Sequence, residues 1–422
     1  MSTAQLSAVF FLQLFFILAV CRLVGLLARR LGQPQVVGEM IAGVIMGPSL
    51  FGLLLPSWQQ AIFPKESLKT LYVLAQLGVG LYMFLVGTEF KTELFRSRAR
   101  SAASVSIAGM VAPFVVGGVL AVWLWKVPGL FSEKASQFEA VLFLGAAMSI
   151  TAFPMLARII YEQGITGTPL GTLALAAGAI DDATAWCVLA IVLASFGGGP
   201  MVAVQAIAGG LLYAVLTLTI GRKLLQQLGV LAERNGKITP TLMAVTLMLL
   251  MLGSWTTDAV GIHSVFGGFI LGVAMPRGFF ANELRKQLEP MAVIFLLPMF
   301  FTFSGLNTRL DTVNSPQLLL IGLLVLVGAV AAKGGACWLA ARLNGETHRT
   351  ALAVGTLMNA RGLMELIILN IGLQKGLIQP ALFSIMVMMA IITTLMTSPL
   401  FELVSRTKGK AAAGEETAAV EA

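Results

Sequence analysis

Apolar runs of about 20 residues recur from one end of this chain to the other, and each can cross roughly 30 Å of hydrocarbon. Short polar connections such as RRLGQPQ (29–35) and KTELFRSRAR (91–100) separate them. Of 422 residues, 57% are hydrophobic and 11% charged, where a globular domain carries about 25% charged residues. Too few polar side chains exist to cover a water-facing surface, so a soluble fold is excluded. The chain is expected to be an all-α, polytopic membrane protein in contact with the lipid bilayer.

Hydropathy places thirteen spans, roughly at 6–28, 35–54, 68–90, 101–125, 137–161, 168–195, 201–221, 239–257, 262–276, 289–306, 315–341, 349–373 and 380–404. The distribution of Lys and Arg checks that count through the positive-inside rule. With the N-terminus outside and the C-terminus cytoplasmic, nineteen basic residues fall on the inner side, among them Arg29, Arg96, Arg222, Arg285 and Arg406. Six fall outside (Lys65, Lys69, Lys126, Lys134, Arg309 and Lys375), and Arg22, Lys333 and Arg361 lie within spans. The same asymmetry accounts for the net charge of +8 without nucleic acid as a partner. A plasma (inner) membrane location is expected.

Cys21, Cys187 and Cys337 are scattered through apolar runs, which argues for packing residues and against a disulfide framework or zinc site. Residues 6–28 lack a basic leader and a small-residue cleavage site, so they are expected to remain as the first helix. The stretch RTKGKAAAGEETAAVEA (406–422) is polar and aperiodic and is expected to be a disordered cytoplasmic tail, with no soluble domain after it.

Charges inside the spans carry the functional information, because a charge at mid-membrane costs about 2.5–3.5 kcal/mol on insertion scales. GAIDDATAW (178–186) buries Asp181 and Asp182 side by side. Neighbours on a helix point about 100° apart, so one acid can hold a partner while the other faces a cavity. Two carboxylates this close cannot both stay ionised cheaply, and a small cation replacing a proton relieves the repulsion. Lys333, in VGAVAAKGGACWLAA, lies too deep to snorkel, and Asp181 or Asp182 is its nearest available partner. Arg361 and Glu365, in LMNARGLMELIIL, are four apart and can pair on one helix face. An internal structural ion pair and a transport role are equally compatible with them.

Two spans also carry breaks. Pro154, in MSITAFPMLARII (148–160), removes an N–H and clashes with the carbonyl near Ile150. Ser149 and Thr151 then offer hydroxyl and freed carbonyl oxygens, ligands suited to a small hard cation. In GTLMNARGLMEL (355–366), Asn359 and Gly362 weaken the helix similarly. The breaks fall seven spans apart, an odd offset that makes the helices antiparallel, and each neighbours a span with a buried charge. Discontinuous helices in inverted halves around a midplane site are the pattern of secondary transporters.

These stretches, with QPQVVGEMIAGVIMGPSLFG (33–52), GLYMFLVGTEF (80–90), GIHSVFGGFILGVAMP (261–276) and LMNARGLMELIILNIGL (357–373), resemble the monovalent cation:proton antiporter-2 family. The resemblance implies a secondary antiporter without cofactor, commonly a homodimer, with two discontinuous crossing helices. A core domain is expected at about 68–195 and 289–404, beside a dimerisation scaffold at about 6–54 and 201–276. Asp181 and Asp182 are implied as the ion and proton site, Asp182 as the cation ligand and Asp181 as the partner of Lys333, with the Thr151 hydroxyl alongside. Members with an Asp-Asp doublet and this Lys resemble the electrogenic class, moving two protons per cation, whereas Asn-Asp members resemble the electroneutral one. With no nucleotide-binding domain expected after residue 405, regulated potassium efflux is not implied. Glu39, His263 and Asp258 fall in or beside matching stretches and are expected to be structural, loop or capping residues.

The expected function is alternating-access exchange of Na+ or Li+ for H+, with K+/H+ exchange as the alternative. A passive cation channel fits less well, because paired breaks and an Asp–Lys couple suit a carrier. An intramembrane aspartyl protease needs two carboxylates facing each other from separate helices, and this pair sits on one.

Overall fold

The protein is described by a computed structural model over residues 3–89, 94–165, 168–195, 200–261, 264–308 and 312–420. Helices dominate these residues, and the one β feature among them is an isolated antiparallel bridge between Phe131 and Ile378. The first half runs α1 (Thr3–Arg30), α2 (Gln35–Met46), α3 (Phe51–Leu54), α4 (Pro56–Ile62), α5 (Lys65–Glu89), α6 (Leu94–Leu124), α7 (Gln137–Ser149), α8 (Phe153–Glu162) and α9 (Pro169–Ser195). The second runs α10 (Pro200–Leu216), α11 (Arg222–Asn235), α12 (Pro240–Ala259), α13 (Ser264–Ala274), α14 (Phe279–Glu289) and α15 (Leu297–Leu306). It ends with α16 (Pro316–Leu343), α17 (His348–Leu357), α18 (Leu363–Gln374) and α19 (Pro380–Val420).

Nine helices among the described residues are long and apolar enough to cross a membrane. Three shorter apolar helices, Gln137–Ser149, Ser264–Ala274 and Glu365–Gln374, fall where the sequence places the two interrupted spans and the short span at 262–276. Several helices outrun their apolar segments. A π-helical turn at Thr217–Gly221 joins α10 to α11, so Arg222, Lys223 and Arg234, expected in a loop, are helical. Charged residues interrupt hydropathy without interrupting a helix. The same reason applies beyond Ser405, where a disordered tail was expected and α19 continues to Val420. Ala and Glu are strong helix formers whatever the polarity pattern.

Contacts divide the chain into two units. The first comprises Met1–Arg29, Gly38–Lys91 and Trp186–Asp311, the second Arg30–Val37, Thr92–Ala185 and Thr312–Ala422. In the first unit, small residues let helix backbones touch, as membrane packing favours. A Cβ on Gly272 of α13 would lie 2.1 Å from the Phe84 carbonyl oxygen of α5, a place only glycine can occupy. Glu39 is buried as the fifth residue of α2, and Asp258 is the penultimate residue of α12 rather than a loop residue. His263 lies outside the described residues. The helices at 68–89 and 289–306 belong to this first unit by contact.

The second unit has an Ala-rich core that includes Ala102, Ala177, Ala341 and Ala351, interleaved with Leu156, Leu173 and Val354. It contains both broken helices. A capping box at Ser136 and Glu139 starts α7 firmly. The helix stops at Ser149, and Ile150 turns extended at φ −69°, ψ 134°. The chain resumes as α8 at Phe153, one residue before Pro154, where a missing N–H costs nothing because first-turn amides have no helical partner anyway. The second break, 358–362, separates α17 from α18 and contains Asn359, Arg361 and Gly362. The breaks meet: the Ala152 N–H donates to the Ala360 carbonyl at 3.1 Å.

Candidate functional site

Asp181 and Asp182 lie in the interior of α9, each with 0% exposure. Their surroundings differ as the 100° divergence requires. Asp181 is fully engaged. Ser106 Oγ of α6 donates to its Oδ1 at 2.5 Å, and Thr151 Oγ1, from the first break, donates to its Oδ2 at 2.6 Å. Lys333 Nζ of α16 stands 3.4 Å from Oδ2, an ion pair at long hydrogen-bonding range. Asp182 is the opposite case. Neither of its carboxylate oxygens has a hydrogen-bond partner among the described residues, and neither touches solvent.

Lys333 has three hydrogens to place. They face the Gly109 carbonyl at 3.0 Å, the Ser149 carbonyl in a short contact, and Asp181. The ammonium therefore links the acid on α9 to the broken end of α7. Of the adjacent glycines on α16, Gly334 permits close approach: a Cβ there would lie 2.6 Å from Asn359 Nδ2. Gly335 has open space beside it.

Ser149 contributes its backbone; its hydroxyl turns back to the Ala146 carbonyl at 2.8 Å. Arg361 and Glu365 are both buried and lie 3.4 Å apart, Nη1 to Oε2. They do not share a helix face, because Arg361 sits in the break and α18 begins at Leu363. The pair forms across the end of that helix instead. Arg361 also donates from Nη1 to the Ala147 carbonyl at 3.2 Å and from Nη2 to the Met148 carbonyl at 2.7 Å. Asn359 Nδ2 donates to the Gly355 carbonyl at 3.0 Å. Pro154 acts through the backbone, at the start of α8.

Sequence reading passed over Ser106, Gly109 and Thr394. Ser106 lies in SAASVSIAGM, where three serines look alike until the fold shows which faces Asp181. A backbone carbonyl such as that of Gly109 has no signal in sequence. Thr394 Oγ1 accepts from the Arg361 N–H at 3.0 Å and lies 2.7 Å from the Arg361 carbonyl.

Interrupted helices meeting beside buried acids and a buried lysine, within a bundle of membrane-crossing helices, have the build of a secondary transporter. The chain belongs to the transmembrane sodium/hydrogen exchanger family, whose profile matches residues 15–403. It is therefore a membrane antiporter, a transporter and not an enzyme, and its family calls for no cofactor. It is 41% identical over 395 residues to the Na(+)/H(+) antiporter NhaS4 of Synechocystis sp., covering 91% of this chain and 94% of that one. It is 31% identical over 410 residues to K(+)/H(+) antiporter 1 of Saccharomyces cerevisiae, covering 94% of this chain but 46% of the yeast protein. The sodium proton antiporter MjNhaP1 from Methanocaldococcus jannaschii shares the fold, with a TM-score of 0.66 at 16% identity, over 95% of this chain and 97% of that one.

Proposed function

We propose that the protein exchanges Na+ or Li+ for H+ by alternating access, with Asp182 as the cation ligand and Asp181 as the acid paired to Lys333. The observation that carries this reading is the unsatisfied Asp182 carboxylate. An ionised carboxylate without partners or water is costly to bury, so Asp182 has two cheap states, protonated and cation-bound. Those are the two loaded states of an exchanger. Competition between proton and cation for the same oxygens then couples their movements, and the two states reach opposite compartments in turn. The oxygens of Asp182 are enclosed in this conformation, so loading and release belong to others.

The proposed stoichiometry is two protons per cation, on the likeness of the Asp-Asp doublet and Lys333 to the electrogenic class. With both acids ionised and Lys333 protonated the site carries one net negative charge, and a monovalent cation neutralises it. Two protons in place of that cation make it positive by one, so each cycle moves a charge across the membrane. One proton would leave the exchange electroneutral. Thr151 contributes its hydroxyl oxygen to the same cluster. The reading includes an inner-membrane location with the N-terminus outside, a homodimer, and a division into core and dimerisation scaffold in which the helices at 68–89 and 289–306, expected in the core, group by contact with the scaffold segments.

K+/H+ exchange is the second reading, favoured by the similarity to the yeast K(+)/H(+) antiporter. One experiment separates them. In proteoliposomes carrying a pH gradient, Na+ and Li+ are expected to dissipate it and K+ to do so less; a K+ response exceeding both selects the alternative. No response to any of the three, with correctly inserted protein, rejects antiport.

A further inference from the structure

The last four carbonyls of a helix have no partner within it, and α7 has all four occupied. Ser149 Oγ takes Ala146, Arg361 takes Ala147 and Met148, and Lys333 takes Ser149. The other break is capped differently. At the end of α17 the Met358, Asn359 and Ala360 N–H groups take the Val354, Thr356 and Leu357 carbonyls, and the Asn359 side chain takes Gly355. One break is closed by its own chain. The other is closed by two cations delivered from elsewhere, at the negative end of a helix dipole.

The two cations are held in different ways. Lys333 divides itself between two carbonyls and Asp181, so a change of charge on Asp181 changes its hold on Ser149. Arg361 has no partner in the acid pair. Its backbone is fastened to Thr394 of α19, its guanidinium lies on α7, and Glu365 stands beside it. We propose that Arg361, neutralised by Glu365, is a positioning residue: the fixed cap that holds the end of α7, and with it the Ser149–Thr151 stretch, against Asp181. Lys333 is then the cap that answers to the ion. The inference rests on the reading that the Asp181–Asp182 pair is the exchange site. Glu365, in this account, balances charge and carries neither proton nor cation across the membrane.

Hydrogen–deuterium exchange on the full chain tests the cap without reference to transport. In Arg361→Gln, amides at 145–152 are expected to exchange about tenfold faster or more, as loss of charge-assisted bonds implies. Those at 351–357, capped by their own chain, stay at the wild-type rate. The half-saturating Na+ concentration in proteoliposomes is expected to rise about tenfold while the maximal rate stays within about threefold. Arg361→Lys recovers part of both, since one ammonium cannot span two carbonyls as the guanidinium fork does. Wild-type protection and wild-type half-saturation in Arg361→Gln overturn the proposal. Glu365→Gln leaves the guanidinium on its carbonyls and is expected to keep the wild-type pH dependence of exchange; a displaced pH profile makes Glu365 a proton carrier and overturns it as well. Should Arg361→Gln fail to yield folded protein, Arg361→Lys and Glu365→Gln carry the same two measurements. A wild-type protein that exchanges nothing defeats the proposed function, whereas the deuterium result judges the cap alone.

Discussion

Asp181 and Asp182 are chemically identical and one residue apart, yet their neighbours give them separate work. Asp181 has two hydroxyl donors and an ammonium, and Asp182 has none of these. Asp182→Asn removes the charge that a cation would neutralise, and exchange is expected to fall to background; wild-type rates would remove Asp182 from the site. The pair Asp181–Lys333 makes a different prediction. Lys333→Ala leaves a buried carboxylate without its counter-charge and the Ser149 carbonyl without its cap, a loss of about 3–5 kcal/mol. Asp181→Asn in the same protein removes the stranded charge. The double variant is expected to melt above the Lys333→Ala single, with a coupling of about 0.5–3 kcal/mol. Additive losses in apparent Tm would mean that the two side chains do not interact.

At the scale of elements, both interruptions were legible because each has a local chemical cause. Pro154 suits the first turn of a helix, and the chain stops at Ser149 and restarts at Phe153, whereas Pro113 and Pro399 leave α6 and α19 unbroken. Asn359 and Gly362 mark the second break by the same kind of local signal. What the sequence could not reveal is what each break touches. Arg361 and Glu365 have the spacing of a helical pair, but the break between them means that the guanidinium reaches the carbonyls of another helix. Spacing rules assume a continuous helix, and they fail where the helix is interrupted. The adjacent glycines of α16 show the same gap between pattern and contact. Gly334 and Gly335 read alike, yet an added methyl meets Asn359 Nδ2 at 2.6 Å from the first and nothing within 4 Å from the second. Gly334→Ala is expected to cost about 1–3 kcal/mol by displacing the Asn359 cap. Gly335→Ala is expected to be neutral or to gain about 0.5–1 kcal/mol from the higher helix propensity of alanine. Thermal melting of the two variants checks the order, and equal losses would contradict the packing.

For the whole molecule, hydropathy foresaw the membrane bundle because burying backbone in lipid leaves few options, while the division into units depended on contacts that no single-span pattern records. The site, too, draws on α6, the first break, α9 and α16, which lie far apart in sequence. Its net charge is a property of that assembly rather than of any one residue, and it fixes what the membrane potential can do. If two protons exchange for one cation, each cycle moves one elementary charge, worth about 2.3 kcal/mol per 100 mV. At equilibrium, 100 mV then shifts the ion ratio that balances a given pH gradient by about fiftyfold, since about 1.4 kcal/mol is tenfold. An electroneutral exchanger shows no shift at all. Proteoliposomes clamped at set potentials, with Na+ varied until the pH gradient neither grows nor decays, read the ratio directly. The expected result is a balance point that moves with voltage in the wild type. A balance point indifferent to voltage would mean that one proton moves per cation and that the Asp181–Lys333 pair stays charged throughout the cycle.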